Sequence, residues 1–335
     1  MADTLYERRV TKLPAAPPVA IAEACPACGA HDARPRLSIE GFPMRLVVCE
    51  GCGCGRLDPM PSDDEIAGLY PDAYYGEPGK AKFSAPVERL VRITGARHLR
   101  SLLSGVASGG RVLDVGCGRG VLLRVAAQAG FEAHGVEVSA AAAKGADAFA
   151  QIRIARRLSD AAYPEGFFDA VIVWHVLEHL RDPRATLREI HRVLRPGGRL
   201  AVAVPNFASA QARWAGADWF HLDLPRHLHH FRLDGLERML DSCGFAVESA
   251  HHFSLRQNPF GWIQSASNRV RPLPRNGLYT LLHHRDPTVP PPFTPAVRGA
   301  LLLLGALLAP LALAASALEA VARSGATVHV IARRR

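Results

Sequence analysis

Cysteine is sparse in this chain and unevenly spread. Only seven occur in 335 residues, and five of them fall between positions 25 and 54. A secretory leader is also missing: the N-terminus offers charged and Pro/Ala-rich residues and no apolar core segment. A reducing, cytoplasmic setting is therefore expected, and disulfides are not. No segment repeats, which argues against a solenoid. Glycine is absent at position 121, where Val121 stands, so the glycines just before it do not spell the dinucleotide fingerprint G-x-G-x-x-G. Acidic residues are outnumbered 31 to 40, for a formal charge of +9. That balance permits nucleic acid or an anionic surface as partner. The length allows one α/β domain of ordinary size plus small additions.

What is present begins with Val112-Leu113-Asp114-Val115-Gly116-Cys117-Gly118-Arg119-Gly120, a buried strand running into a carboxylate and three alternating glycines. Glycine lets a backbone turn tightly and approach a ligand closely. A helix over about 119–129 should follow and stop at Gly130. A second strand, Phe131 to Val138, carries Glu137 at its carboxyl end, about 20 positions on, where an acid accepts bonds from ribose hydroxyls. Ser139 then caps an alanine-rich helix expected over about 140–151. A short strand near 152–155 leads to the loop Leu158-Ser159-Asp160-Ala161. Phe168 to Trp174 reads as a fourth strand, followed by His175-Val176-Leu177-Glu178-His179. A helix over about 183–194 stops at Arg195-Pro196-Gly197-Gly198, and a fifth strand covers 200–204. Strands alternating with helices at this spacing imply an α/β fold with a mainly parallel, doubly wound sheet.

Before this unit, Cys25-Pro26-Ala27-Cys28 and Cys49-Glu50-Gly51-Cys52 form two C-x2-C knuckles separated by twenty residues. Four thiolates at that spacing suit one tetrahedral, structural Zn²⁺ in a zinc ribbon. Cys54 is a spare that competes with Cys52 in sequence. Cys117 and Cys243 read as small core residues.

The segments "VLDVGCGRG", "GVEVS", "FDAVIVWHVLEHLRDP" and "EIHRVLRPGGRLAVAVPN" resemble the bacterial class I S-adenosylmethionine (SAM) methyltransferases that carry V-L-E-H after strand four. The resemblance covers about residues 85–255 and resumes at the C-terminus. It implies a Rossmann-like, seven-stranded sheet with an antiparallel last strand, here 326–332 beside a sixth strand at about 246–253. It also implies SAM as cofactor, with Asp114, Gly116, Gly118, Gly120, Glu137, Asp160 and Trp174 on its binding side. A "P-x-P…Y…YY" connector with Tyr70, Tyr74 and Tyr75 resembles the usual link from ribbon to methyltransferase. The expected organisation is a ribbon at 22–60, a linker with helices at 61–95, the core at 96–255 and 326–335, and an insertion at 256–325.

An oxygen or carbon nucleophile needs its proton removed, and a side chain titrating near neutrality suits that. His175, Glu178 and His179 stand past strand four, at the edge where ligands sit in open α/β sheets. The later run Asp223-Leu224-Pro225-Arg226-His227-Leu228-His229-His230-Phe231 resembles the family's substrate-side segment and adds His227 and His230 as candidate bases. Methylation of exocyclic base amines is disfavoured, because an Asn/Asp-Pro-Pro-aromatic run does not follow strand four.

Gly299 to Leu318 is twenty residues without a charge, long enough to be a membrane candidate. Since the strands on either side belong to one sheet, the segment cannot cross once and stay out. Pro310, near its middle, predicts a kink or a hairpin. Six arginines (256, 269, 271, 275, 285 and 298) against Asp286 form a basic collar suited to anionic headgroups. Pro290 to Pro292 form a stiff connector. The expectation is a SAM-dependent methyltransferase acting on oxygen or carbon of a small or lipid-linked acceptor such as a glycolipid, a polysaccharide precursor or an isoprenoid. It would sit peripherally or monotopically at the inner face of the cell membrane, with nucleic acid not its partner. Two alternatives stand beside it: an RNA methyltransferase whose ribbon contacts RNA, and a non-catalytic SAM-binding adaptor.

Overall fold

A computed structural model describes residues 9–70, 93, 99, 102–104, 106–283 and 293–335. Tyr74, Tyr75, Arg285, Asp286 and Pro290 to Pro292 lie outside the described residues.

The first unit is built from β1 (Val10–Lys12), β2 (Val19–Ala20), β3 (Asp32–Ile39), β4 (Arg45–Cys49) and β5 (Gly55–Asp58), followed by the short helix α1 (Asp63–Gly68). Ser62 opens α1 with a reciprocal capping box to Glu65. The core then runs β6 (Arg111–Val115), α2 (Val121–Gln128), β7 (Glu132–Glu137), α3 (Ala140–Ala143), β8 (Gln151–Ile154), β9 (Phe168–Trp174), α4 (Pro183–Val193) and β10 (Leu194–Pro205). Next come α5 (Ala210–Ala215), β11 (His229–His230), α6 (Leu233–Ser242), β12 (Phe245–His251), α7 (Gln257–Asn268), α8 (Gly277–His283), α9 (Pro295–Val321) and β13 (Thr327–Arg334).

The core sheet has seven strands in the order β12-β13-β10-β9-β6-β7-β8. Only β13 runs antiparallel to its neighbours, β10 and β12, as the resemblance implies. Successive residues of a strand face opposite layers. Thus Val171 and Val173 pack with Leu187 and Ile190 of α4 and Leu236 and Met239 of α6. Ala170 and Ile172 face Leu123 and Ala126 of α2. Burial on both faces explains why β9 reads as an unbroken apolar run.

Three local expectations differ. The alanine-rich helix ends at Ala143, because Lys144 turns extended and Gly145 takes φ +88°. The Arg-Pro-Gly-Gly stop is absorbed into β10, where the pairing with β9 slips between Leu194 and Arg199. Pro310 makes no hairpin: α9 is one helix of 27 residues. A proline removes one main-chain bond; here both flanking stretches are long helix formers, and α9 is braced along its length by α7 and α8. Trp262 Nε1–H donates to Glu319 (3.1 Å), and a Cβ on Gly305 would lie 3.1 Å from Leu278.

The N-terminal sheet is not closed on itself. Its order is β1-β3-β4-β5-β11, with β2 on β3, so the strand His229–His230 from the core completes it. Leu37, Leu46 and Leu57 share one cluster with Trp219, Leu224 and Leu228. This docking sets the ribbon over the carboxyl edge of the parallel strands.

Candidate functional site

A cavity of about 2200 Å³ opens at that edge, lined by both units. Its first wall is the turn after β6. Gly116 adopts φ +71°, and a Cβ there would sit 2.6 Å from Val176. Gly118 has nothing within 4 Å of such a Cβ, so the chain is open on that side. Gly120 starts α2 in the left-handed region. Glu137 is buried and accepts three main-chain donors: Gly118 N–H at 2.8 Å on Oε2, and Val138 and Ser139 N–H at 2.8 and 3.1 Å on Oε1. The carboxylate is thus held at the cavity with lone pairs to spare. Asp114 lies buried beneath it; burial and the charge of Glu137 push its carboxyl up to about 8. Asp114 therefore tends to keep its proton near neutrality. Asp160 stands exposed on a 3-10 turn (Leu158–Ala161) and accepts from Arg157 N–H at 3.2 Å.

The second part of the site gathers behind β9. His175 takes φ +54°, outside the range comfortable for a side-chain-bearing residue. Its Nδ1 lies 3.2 Å from Glu178 Oε1. Burial lowers the imidazole to about 3 and raises the carboxyl to about 7. With the ring neutral, Nδ1–H donates to Glu178, while His175 Nε2 and Glu178 Oε2 are buried without a hydrogen-bond partner. His179 Nδ1 is 3.1 Å from the Arg226 carbonyl and 2.7 Å from the Tyr70 hydroxyl. His227 stacks edge-on at 4.6 Å from His179 and donates Nδ1–H to the His221 carbonyl (2.9 Å). His230 donates to the Leu222 carbonyl (3.0 Å). Burial tends to neutralise Asp223, but the guanidinium of Arg226 and His227 outweigh it and hold the acid well below the usual carboxylate range.

Of the residues singled out from sequence, Gly116, Glu137, Asp160, His175, His179, Cys25 and Cys28 line the cavity. Glu178, His227 and His230 are buried behind it, as is Asp114. Gly118, Gly120 and Trp174 are not on the lining; Trp174 packs against His329 at 4.6 Å. Three features escaped the sequence reading. His221 is buried with Nε2 unsatisfied. The Asp223–Arg226 pair (2.7 Å) is buried on the guanidinium side; its i,i+3 spacing was a readable signal. Arg56 faces the cavity from the ribbon, and no local pattern announced it.

Cys25, Cys28, Cys49 and Cys52 bring their sulfurs within 4.8 Å of one another. The pairs Cys25–Cys52 and Cys28–Cys49 are 3.6 and 3.5 Å apart. Tetrahedral Zn–S bonds of 2.3 Å place sulfurs roughly 3.8 Å apart, so the set fits that ion. The Cys52 thiol and burial push the Cys25 thiol up, as expected of clustered thiols lacking a cation. Cys54 is not part of the quartet; its sulfur accepts from Arg232 N–H (3.4 Å). A second group, Glu178, His179 and His227, also lies within 4.8 Å.

Residues 89–250 match the model of a methyltransferase-domain family. A ubiquinone biosynthesis O-methyltransferase from Xanthomonas oryzae is 36% identical over 134 residues, covering 37% of this chain and 56% of that protein. One of the same name from Xanthomonas axonopodis is 33% identical over the same shares. The chain spans about half the length of these relatives. A crystallised SAM-dependent methyltransferase from Archaeoglobus fulgidus shares 18% identity and a TM-score of 0.47, covering 74% of this chain and 94% of its own.

Proposed function

We propose that this chain, a member of the class I SAM-dependent methyltransferases, moves a methyl group from SAM to an oxygen or carbon of a small or lipid-linked acceptor. The observation that carries the reading is the turn after β6: three positive-φ glycines, of which Gly116 lines the cavity, beside a carboxylate already oriented by three N–H donors. When bound, SAM supplies an activated methyl on sulfur, so the protein's task is alignment and removal of one proton. Glu178, titrating near neutrality, is our candidate for receiving that proton, directly or through the Nε2 of His175. His179 and Tyr70 tie the ribbon side to the same loop and orient it. The zinc ribbon is read as structural, one wall of the acceptor site. The O-methyltransferase names of the relatives support oxygen over carbon.

The apolar helix α9 supports contact with the inner face of the cell membrane. It has mean hydropathy 2.3 over its best window, of which 17% is buried. Leu303, Leu307, Leu311 and Leu318 project outward, the last two 67% and 71% exposed. Deleting 297–320 should abolish flotation with anionic vesicles; equal flotation with and without the segment would end that part of the proposal.

The reaction is tested with methyl-labelled SAM, purified protein and extract from cells lacking the gene. Label entering the organic phase supports a lipid-linked acceptor. Aqueous label sensitive to ribonuclease would overturn the reading in favour of RNA. Bound SAM with label transferred to nothing would favour the adaptor.

A further inference from the structure

Arg56, on the ribbon wall, is in a state that is hard to explain without a ligand. It lies on β5, paired across the sheet with Val47 and with His229. It is 3% exposed, yet it lines the cavity. Its Nε and Nη2 are buried and have no hydrogen-bond partner. A guanidinium does not shed its proton in a protein, so burial leaves it charged, and an unpaired buried charge is strongly unfavourable.

Among the described residues, nothing near by relieves it. His229 is held neutral, its ring lowered to about 4 chiefly by burial; its Nε2 points to the Arg181 carbonyl at 3.4 Å and its Nδ1 is also unsatisfied. The acids on this side of the cavity are engaged elsewhere. Glu23 pairs with Arg181 (3.4 Å), Asp182 accepts from Ala185 N–H (2.9 Å) and Glu189 holds Arg192 (2.6 Å).

We infer that Arg56 forms a subsite for an oxyanion, a phosphate or carboxylate group, carried by the methyl acceptor. The guanidinium fork matches two oxygens of either group. The anion offsets the buried guanidinium charge; the neutral imidazole of His229, whose Nε2–H donates to the Arg181 carbonyl, adds neither charge nor a donor. The subsite sits on the ribbon wall, formed by residues distinct from the glycines and Glu137, so it orients the acceptor and leaves the SAM side alone. The identity of the anion's carrier rests on the methyltransferase reading above; the presence of the subsite does not.

The experiment uses the full zinc-loaded chain, with inorganic pyrophosphate and succinate as separate probes. Calorimetry and thermal melting are run on wild type, Arg56→Gln and Arg56→Lys, with SAM titrated in parallel. At least one probe is expected to bind the wild type and raise its Tm, pyrophosphate marking a phosphorylated acceptor and succinate a carboxylated one. Arg56→Gln should weaken that probe at least tenfold, Arg56→Lys less, and both should bind SAM as the wild type does. Without probe, Arg56→Gln should melt no lower than the wild type, since it removes an unpaired buried charge. Binding of neither probe, unchanged binding by Arg56→Gln, or a variant that melts far lower would overturn the subsite. So would a tenfold loss of SAM affinity in Arg56→Gln, which would assign Arg56 to SAM's own carboxylate. Loss of SAM binding by the wild type would defeat the methyltransferase reading, and leave the probe results to judge the subsite alone.

Discussion

The two walls of the cavity present polar groups by different means. On the glycine side the donors are main-chain N–H groups of Gly118, Val138 and Ser139, converging on one carboxylate within a stretch of 22 residues. On the ribbon side the groups are side chains brought from far apart: Tyr70 meets His179 across 109 positions, and Arg184 donates to the Pro26 carbonyl across 158. The first wall is rigid because backbone angles fix it. The second depends on docking, through β11 and the cluster around Trp219. A site divided this way can keep its cofactor side constant while the other side is reshaped for the acceptor.

The sharpest way to break the comparison is to disrupt the cysteine quartet proposed to hold zinc. Structural zinc contributes on the order of 10 kcal/mol to folding of small ribbons. Cys49→Ser should therefore lose metal and unfold the ribbon wall, seen as lost zinc by elemental analysis and a lowered Tm, while SAM titration still detects the other wall.

The glycines sharpen it next. Gly116→Ala places a Cβ 2.6 Å from Val176 at positive φ and should cost about 1–3 kcal/mol of stability by urea melts. Gly118→Ala meets no atom; it should cost about 1 kcal/mol yet weaken SAM more than its effect on folding would suggest.

A smaller effect separates the proton acceptor from both walls. The Glu178 carboxyl is raised by burial from 4.5 to about 7. Between those values the folded chain keeps a proton that the unfolded chain releases, so stability falls as pH rises through that window and is flat above it. Its share amounts to about 3 kcal/mol at most, and Glu178→Gln should reduce the difference between melts at pH 5 and pH 8, leaving the part owed to Asp114, raised to about 8. Methyl transfer, once an acceptor is known, should rise with pH through about 7 in the wild type and lose that limb in the variant.

The smallest effect belongs to α9. Leu307→Lys and Leu311→Lys change outward side chains, so stability should move by about 0.5 kcal/mol or less and SAM binding should not change, while binding to anionic vesicles should drop.

The glycine wall was legible because its chemistry is local: a strand, D-x-G-x-G-x-G and an acid on the next strand specify it with little help from packing. The parallel strands were readable as apolar runs alternating with helices, whereas the antiparallel last strand was implied only by the family resemblance. The four-cysteine quartet was readable from spacing, although only the folded geometry, which gathers Cys52 and leaves Cys54 out, identifies the fourth sulfur. The ribbon wall was not legible. Arg56 sits in an ordinary strand, and its significance comes from β11 closing over it and from acids that turn elsewhere. At Pro310 the sequence leaves a kink and a hairpin open; the single helix excludes the hairpin, because a proline's local cost says nothing of the helices that brace its flanks.

The most direct test of the divided site is calorimetric titration of SAM into the full chain, Glu137→Gln and Arg56→Gln. A hydrogen bond to a charged group is worth about 1.5–3 kcal/mol. The account predicts one-to-one binding to the wild type, unchanged binding to Arg56→Gln, and affinity lower by roughly 10- to 100-fold in Glu137→Gln. Equal affinity for the wild type and Glu137→Gln, or no binding to the wild type, would contradict it.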